Sequence, residues 1–533
     1  MDAAAPDPRR WFALGVVAAG VALIIIDSTI VNVALPTIIR DLDLGLSGAE
    51  WVNSIYSLVF AALLIATGRF ADMRGRRTVY IAGLVVFGGS SILAGLAPSG
   101  ELLILARLLQ GVGGALVLPS TLSIVNATFQ GRERAAAFGV WGGTIGGMAA
   151  LGPIAGGWIT TTFGWHWIFL INVPLAAILV VLALAVVRDS RDPAARPTGD
   201  AVGAISIALG LASLTFALIE GRTYGWWSAQ EPFSPFGIEW PLAGVSPIPF
   251  AFAIALLCVA AFVVGDRRRA RAGRPVFVDL ALFRHRSFGF GNLTAMLVSL
   301  GEFGLLFAIP LYLQNVLGLD ATKSGLVIAS LAVGAFVTAG AAAPLSRRIG
   351  GRGIVQLGMA LEAIGIAVFA LIVEPGISAW HLVPALFVYG LGVGFATAQL
   401  TGVVLADVPV AASGQASGIQ STSRQIGSAL GVAILGTILA TVIYAQSKQN
   451  LERAGLPADR AAQVATTMER SAGTALPGIA AGPGGDALAP PLEQAFSDAT
   501  RSTGIAAALF ILVGLASSFL LPRPRRLDES GRQ

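Results

Sequence analysis

Chemistry that relies on sulfur, imidazole or a bound nucleotide has few footholds in this chain. Cys258 is the only cysteine, so no intramolecular disulfide can form. His166, His285 and His381 are scattered without metal-ligand spacing, and no metal site is expected. The phosphate-gripping pattern GxxxxGK[ST] does not occur, which removes ATP or GTP as a direct energy source. Charge is scarce: Asp, Glu, Lys and Arg make up 12% of the residues, against about 25% in a soluble domain. Lysine is nearly missing, with two residues against 33 arginines, which reads as a genomic composition bias.

What fills the chain is apolar. Hydrophobic residues account for 55% and the mean hydropathy is +0.76. They come in runs of about twenty, roughly the length that crosses a 30 Å hydrocarbon core. Fourteen such runs lie near 12–36, 51–67, 78–97, 102–126, 135–160, 166–187, 201–219, 248–265, 288–316, 324–345, 353–373, 381–405, 414–444 and 502–521. The expected class is therefore an all-α polytopic membrane protein, embedded in lipid. The net charge of +5 does not point to nucleic acid, because the basic residues follow the loops. With the N-terminus in the cytoplasm, 25 of the 35 Lys and Arg residues fall on the cytoplasmic side and eight on the other. Such asymmetry places both termini in the cytoplasm of a cell-membrane protein.

Segment 446–501 is rich in Ala, Gly and Pro and reads as an external loop, with a short amphipathic helix near 457–472. Trp226, Trp227 and Trp240 in the external stretch 221–247 suit an interfacial aromatic belt.

The sharpest local signal is GRFADMRGRR at 68–77, a charged turn between the second and third runs. Gly68, Asp72, Gly75, Arg76 and Arg77 resemble the G-x-x-x-D-x-x-G-R-[RK] signature of the major facilitator superfamily. The resemblance implies a conformational latch that favours the outward-open state. PLSRRIGGRG at 344–353 is a degenerate counterpart that lacks the acidic residue. Two such turns at matching places suggest an internal repeat of six spans, with a pair inserted between the copies. The expected fold is thus two six-helix bundles plus two inserted helices. Its divisions are 1–187, a linker with two spans at 188–286, and 287–533.

DSTIVNVALP at 27–36, RLLQGVGGA at 107–115, GMAALGPIAGG at 147–157 and GQASGIQSTSRQIGSALG at 414–431 resemble the fourteen-span drug:proton antiporters of that superfamily (QacA/EmrB type). WHWIFLINVP at 165–174 fits as well, with His166 where that family usually carries arginine. The resemblance implies proton-driven export of amphipathic or cationic small molecules, a monomer, and no cofactor beyond the coupling proton. It also implies an antiporter hinge at Gly152, Pro153, Gly156 and Gly157. Small residues there can pack helices closely and let a helix bend.

Ionisable groups inside a bilayer cost at least about 2.5 kcal/mol at a helix centre, so each invites a role. Asp27 and Arg107 lie at similar depth near the outer ends of their runs, and can pair. Proton binding to Asp27 would break such a pair and couple titration to helix movement; a static structural pair is the alternative. Glu302, near the middle of the ninth run, is a candidate proton carrier or counter-charge for a cationic cargo, and Glu362 is a second. Arg424 can pair with either. Phe303, Phe307, Tyr312, Gln314, Tyr389, Phe395 and Gln399 are candidates, with Glu302, to line a substrate cavity. A dedicated exporter of one metabolite, antibiotic or lipid is the nearest rival. A membrane enzyme or sensor has no soluble segment to carry its chemistry, so no enzyme is expected.

Overall fold

A computed structural model describes residues 8–129, 131–191, 200–233, 240–242, 244–274, 276, 278, 280–408 and 413–521. Buried in lipid, a backbone must satisfy its polar groups internally, and helices do so locally. The described chain is accordingly helical apart from its connecting turns, and its β structure among the described residues is a lone bridge between Ser228 and Val245.

The first group comprises α1 (Arg10–Asp41), α2 (Leu46–Arg74), α3 (Arg76–Gly95), α4 (Gly100–Thr128), α5 (Gly131–Phe163) and the short α6 (His166–Leu170) running into α7 (Asn172–Val186). A separate pair follows, α8 (Ala201–Tyr224) and α9 (Ile248–Arg271). The last group holds α10 (Arg286–Asn315), α11 (Ala321–Ile372), α12 (Leu382–Val404), α13 (Ser413–Arg453), α14 (Ala458–Arg470), α15 (Leu476–Ala481) and α16 (Gly485–Ser518). Helix α11 is bent at Gly350, whose φ of 76° is one that L side chains rarely adopt, so it makes two spans. Among the described residues, twelve helices are long and apolar enough to cross a membrane. Helices α2 and α5 are 29 and 33 residues long.

Side-chain oxygens start several helices: Ser99 accepts from Leu102 N on α4, Asp200 from Gly203 N on α8, and Asp320 from Lys323 N on α11. Helix α10 is almost wholly buried at the centre. Helix α9 instead turns Leu256 and Leu257 outward, about 70% exposed, as a lipid-facing helix does.

The expected external loop at 446–501 is mostly helix. Helix α13 continues to Arg453, about 60 Å at about 1.5 Å per residue, well beyond a bilayer core. Helix α16 begins at Gly485 and runs through Pro490 and Pro491. Between them, α14 occupies the predicted amphipathic stretch. The reason is packing: Ala461, Met468, Leu476, Leu492 and Phe496 are buried in the principal core. Tertiary burial outweighs the local preference of Gly and Pro for loops.

The core is asymmetric along the bundle axis. At the end that carries α14, α1 residues such as Ile30 and Leu35 share one hydrophobic cluster with α10, α11, α13 and α16. Toward the end where α1 begins and α16 finishes, Leu14, Val17, Phe60, Tyr80 and Phe87 form a cluster confined to the first helix group. Ala342, Ile354 and Phe395 make their own in the last group. The two groups are therefore joined at the α14 face and packed separately at the other.

Candidate functional site

Ser99 fixes the start of α4, and two turns later Arg107 and Gln110 project from one face at i and i+3. They meet Asp27 of α1, Ser91 of α3 and Asn172 of α7. Arg107 Nη1 lies 2.5 Å from Asp27 Oδ2, with Asp27 fully buried and Arg107 1% exposed. The other carboxylate oxygen accepts from Asn172 Nδ2 at 2.8 Å and Gln110 Nε2 at 3.2 Å. Gln110 Oε1 accepts from Arg107 Nη1 at 2.9 Å, and Gln110 Nε2 also reaches Ser91 Oγ at 2.8 Å. Arg107 Nε donates to the Val52 carbonyl at 3.2 Å, while its guanidinium carbon stands 4.4 Å from the Tyr56 ring centroid. This is a closed polar network in a dry interior, where charge-assisted bonds are strongest. Sequence reasoning reached Asp27 and Arg107 but missed Gln110, Ser91 and Asn172. The i+3 spacing of Gln110 from Arg107 was a usable signal; Ser91 and Asn172 arrive only through helix packing.

The last helix group holds a different arrangement. Glu302 of α10 and Glu362 of α11 are buried and lie within reach of each other's charge and of Arg424 on α13. Tyr389 of α12 joins them, its hydroxyl donating to the Glu302 carbonyl at 3.4 Å. Among the described residues, neither Glu362 oxygen accepts a hydrogen bond, and Glu302 Oε2 has none. Buried carboxyls without partners are costly unless a proton or a cation meets them.

The remaining cavity candidates are dispersed. Phe303 neighbours Glu302 in sequence and is half-buried. Phe307 is closed off in the core. Tyr312 is also fully buried, its hydroxyl donating to the Glu374 carbonyl at 2.8 Å. Gln314 Nε2 donates to the Val33 carbonyl of α1 at 2.8 Å, tying the two groups together at the α14 face. Phe395 belongs to the small cluster with Ala342 and Ile354, and Gln399 faces Gly351 across α11. The structure thus brings together Glu302, Glu362 and Tyr389, and leaves Phe307, Tyr312, Gln314, Phe395 and Gln399 as packing contacts in this conformation.

At the charged turn, the Asp72 side chain lies outside the described residues. Gly68 approaches Pro119, and Gly75 takes φ 114° so that the chain can reverse between α2 and α3. Asp189, just past α7, accepts from Arg77 N at 3.1 Å and from Thr78 Oγ1 at 3.4 Å. Arg76 N donates to the Ser190 carbonyl, and Arg77 Nη1 to that of Val187. The turn is strapped to its own helix group. The matching turn at Gly350 has a parallel strap: Arg352 donates to the Leu521 and Phe519 carbonyls at 2.6 and 2.9 Å.

Helix α5 passes through Gly152, Pro153, Gly156 and Gly157 without a break. A Cβ at Gly152 would run into Thr29, one at Gly156 into Ile30, and one at Gly157 into the Ala321 carbonyl. Thr322 Oγ1 donates to the Gly157 carbonyl at 3.2 Å. These small residues let α5 lie against both α1 and α11, joining the two groups at the α14 face.

Residues 17–200 and 197–432 match the model of the Major Facilitator Superfamily. The chain is 34% identical over 463 residues to a probable actinorhodin transporter of Streptomyces coelicolor, covering 84% of this chain and 76% of that one. It is 32% identical over 512 residues to the multidrug efflux pump LfrA of Mycolicibacterium smegmatis, covering 95% of each. Multidrug resistance protein Stp of Mycobacterium tuberculosis is 34% identical over 436 residues, 82% of this chain and 77% of that one. Among solved structures, an inward-facing, unoccupied bacterial homolog of the human lysosomal transporter Spinster superposes with a TM-score of 0.63 at 18% identity, covering 97% of each chain. Helices of this length, two helix groups with strapped turns and these likenesses agree: the chain is a membrane transporter, not an enzyme, and belongs to the major facilitator superfamily.

Proposed function

We propose that this protein is a proton-coupled antiporter that exports amphipathic or cationic small molecules across the cell membrane by alternating access. The observation that carries the reading is the buried group of Glu302, Glu362 and Tyr389, in which both Glu362 oxygens and Glu302 Oε2 accept no hydrogen bond among the described residues while Arg424 stands within range. A proton or a cationic cargo meets that need, and the two compete for it, which is the essence of antiport. The names of the relatives, multidrug pumps among them, support the same cargo class.

In this reading α2 and α5 also span the membrane, giving fourteen spans, with both termini cytoplasmic and α8 and α9 as the inserted pair. The chain works as a monomer, divided at 1–187, 188–286 and 287–533, on the fourteen-span drug:proton plan. The α14 face is then external and closed, so the protein rests facing inward. Asp27 and Arg107 couple proton binding to the arrangement of α1, α3, α4 and α7. Asp72 and the arginines of its turn bias the outward-open state, and Gly152 to Gly157 form the sliding surface for α5.

The test is proton release from purified protein on adding a chemically varied panel of dyes and antibiotics. Release by several unrelated cations is expected, and its loss in Glu362→Gln. Release by no compound at any pH would sink the antiport reading. A response to one compound alone would favour the dedicated exporter, a reading supported by the relative named for actinorhodin.

A further inference from the structure

An ionic cluster at the α14 face has no part in the proton or cargo site. Glu50, in the first turns of α2, is fully buried, and both of its oxygens accept from Arg222 Nη2 of α8 at 3.1 Å. Arg222 Nη1 lies 3.7 Å from Glu469 of α14. Beside them, Glu220 of α8 accepts from Ser47 Oγ at 2.6 Å and Trp51 Nε1 at 2.8 Å, both on α2. Arg470 of α14 pairs with Glu231, in the chain that follows α8. One guanidinium, carried by α8, therefore stands between two carboxylates, Glu50 of α2 and Glu469 of α14.

The geometry makes that guanidinium the junction of three bodies. Helix α14 extends from α13, so Glu469 moves with the last helix group. A methyl group at Gly436 of α13 would collide with the Glu50 carboxylate, so Glu50 packs directly on the α13 backbone. Helix α8 touches α13 also through Thr437 Oγ1, 3.0 Å from the Leu218 carbonyl. That hydroxyl has a second acceptor 2.7 Å away in its own helix, the Ala433 carbonyl, and loses nothing if α8 leaves. The Glu50 arm, two bonds to a buried acceptor, is the stronger one. The Glu469 arm is longer, and Glu469 is 24% exposed.

We propose that Arg222 is the positioning residue of the outer gate: it clamps Glu50 of the first helix group to Glu469 of the last while the α14 face is closed, and releases Glu469 when cargo leaves. This rests on the alternating-access reading. It assigns work to the inserted pair, which carries the charged clamp between two halves that otherwise meet through the shared apolar cluster, the Gln314 bond to Val33 and hydroxyls such as those of Ser57 and Ser428, with Oγ atoms 3.4 Å apart.

Cross-linking tests the gate without measuring transport. In a Cys258→Ser background, the pair Ser57→Cys and Ser428→Cys reports closure between α2 and α13. The pair Thr294→Cys and Ser517→Cys, whose hydroxyls are 2.6 Å apart within the last group, reports its internal packing. In membranes treated with copper phenanthroline, Arg222→Gln is expected to lower the first yield several-fold and leave the second unchanged, while Arg222→Lys recovers part of the first. An unchanged first yield overturns the gate, and so does an equal fall in both pairs, since Arg222 would then serve folding only. If the Ser57–Ser428 disulfide leaves export unimpaired, the gate fails together with the alternating-access reading beneath it.

Discussion

In the first helix group, Asp27 receives hydrogen bonds on both oxygens and Arg107 spends its donors on Asp27, Gln110 and the Val52 carbonyl. In the last, Glu362 is as deeply buried but accepts none among the described residues, and Glu302 leaves one oxygen unmet there. The turn straps differ in the same sense: an acidic side chain, Asp189, receives backbone and hydroxyl donors in one half, and a basic one, Arg352, gives to carbonyls in the other. A satisfied buried pair fixes helices in one arrangement. An unsatisfied acid in the same dielectric waits for a counter-charge. The two helix groups thus differ in kind, one built around a closed network and one around open chemistry.

The sharpest way to break this contrast is to remove one partner of the closed network. Asp27→Asn leaves the Arg107 charge buried and unpaired, a change that costs about 3–5 kcal/mol. Thermal unfolding in detergent should show it as a large loss of stability. Adding Arg107→Gln should recover much of that loss without restoring proton release, because the carboxyl that couples the proton to these helices in the proposed mechanism is gone. Equal stability of Asp27→Asn and the parent would mean that the pair holds nothing.

Glu362→Gln probes the open frame. No hydrogen bond is lost, so stability should change by no more than about 1 kcal/mol, while cargo-induced proton release disappears. A large fall in melting temperature with release intact would reverse the roles assigned to the two halves. Asp189→Ala removes an acceptor from the start of α3 and should cost about 1 kcal/mol, the usual worth of a helix cap. The same assay on Arg352→Ala compares the straps directly.

The smallest effect concerns pH at the outer gate. Burial raises the Glu469 carboxyl above its ordinary value, against the opposing pull of Arg222 and Arg470. A pKa raised in the docked state means that docking is fully supported below the ordinary carboxylate range and weakens as pH rises through the raised value. The Ser57–Ser428 cross-linking yield should fall gently over that interval, and Glu469→Gln should flatten the profile.

Much of the fold could be read from the chain because lipid imposes one rule everywhere: a run of about twenty apolar residues must be helical to satisfy its backbone. The fourteen apolar runs are helical over nearly all of their length, with run 166–187 split between α6 and α7, and the charged turn at 68–77 sits where α2 gives way to α3. The rule lapses outside the bilayer. Segment 446–501, rich in Ala, Gly and Pro, reads as a loop, yet long-range burial of Met468, Leu492 and Phe496 makes it an ordered helical cap. The functional groups divide along the same line. Asp27, Arg107, Glu302 and Glu362 announce themselves, since charge within an apolar run is costly wherever it points.

Their partners do not. Ser91, Asn172 and Tyr389 are ordinary polar or aromatic residues until helix packing sets them beside a charge, and Glu50 joins Arg222 from 172 residues away. Sequence alone determined which segments form long apolar helices and which charges they carry, because both depend on composition and length. Only the tertiary structure decided which of those charges are satisfied, because that depends on the direction and distance of groups from other helices.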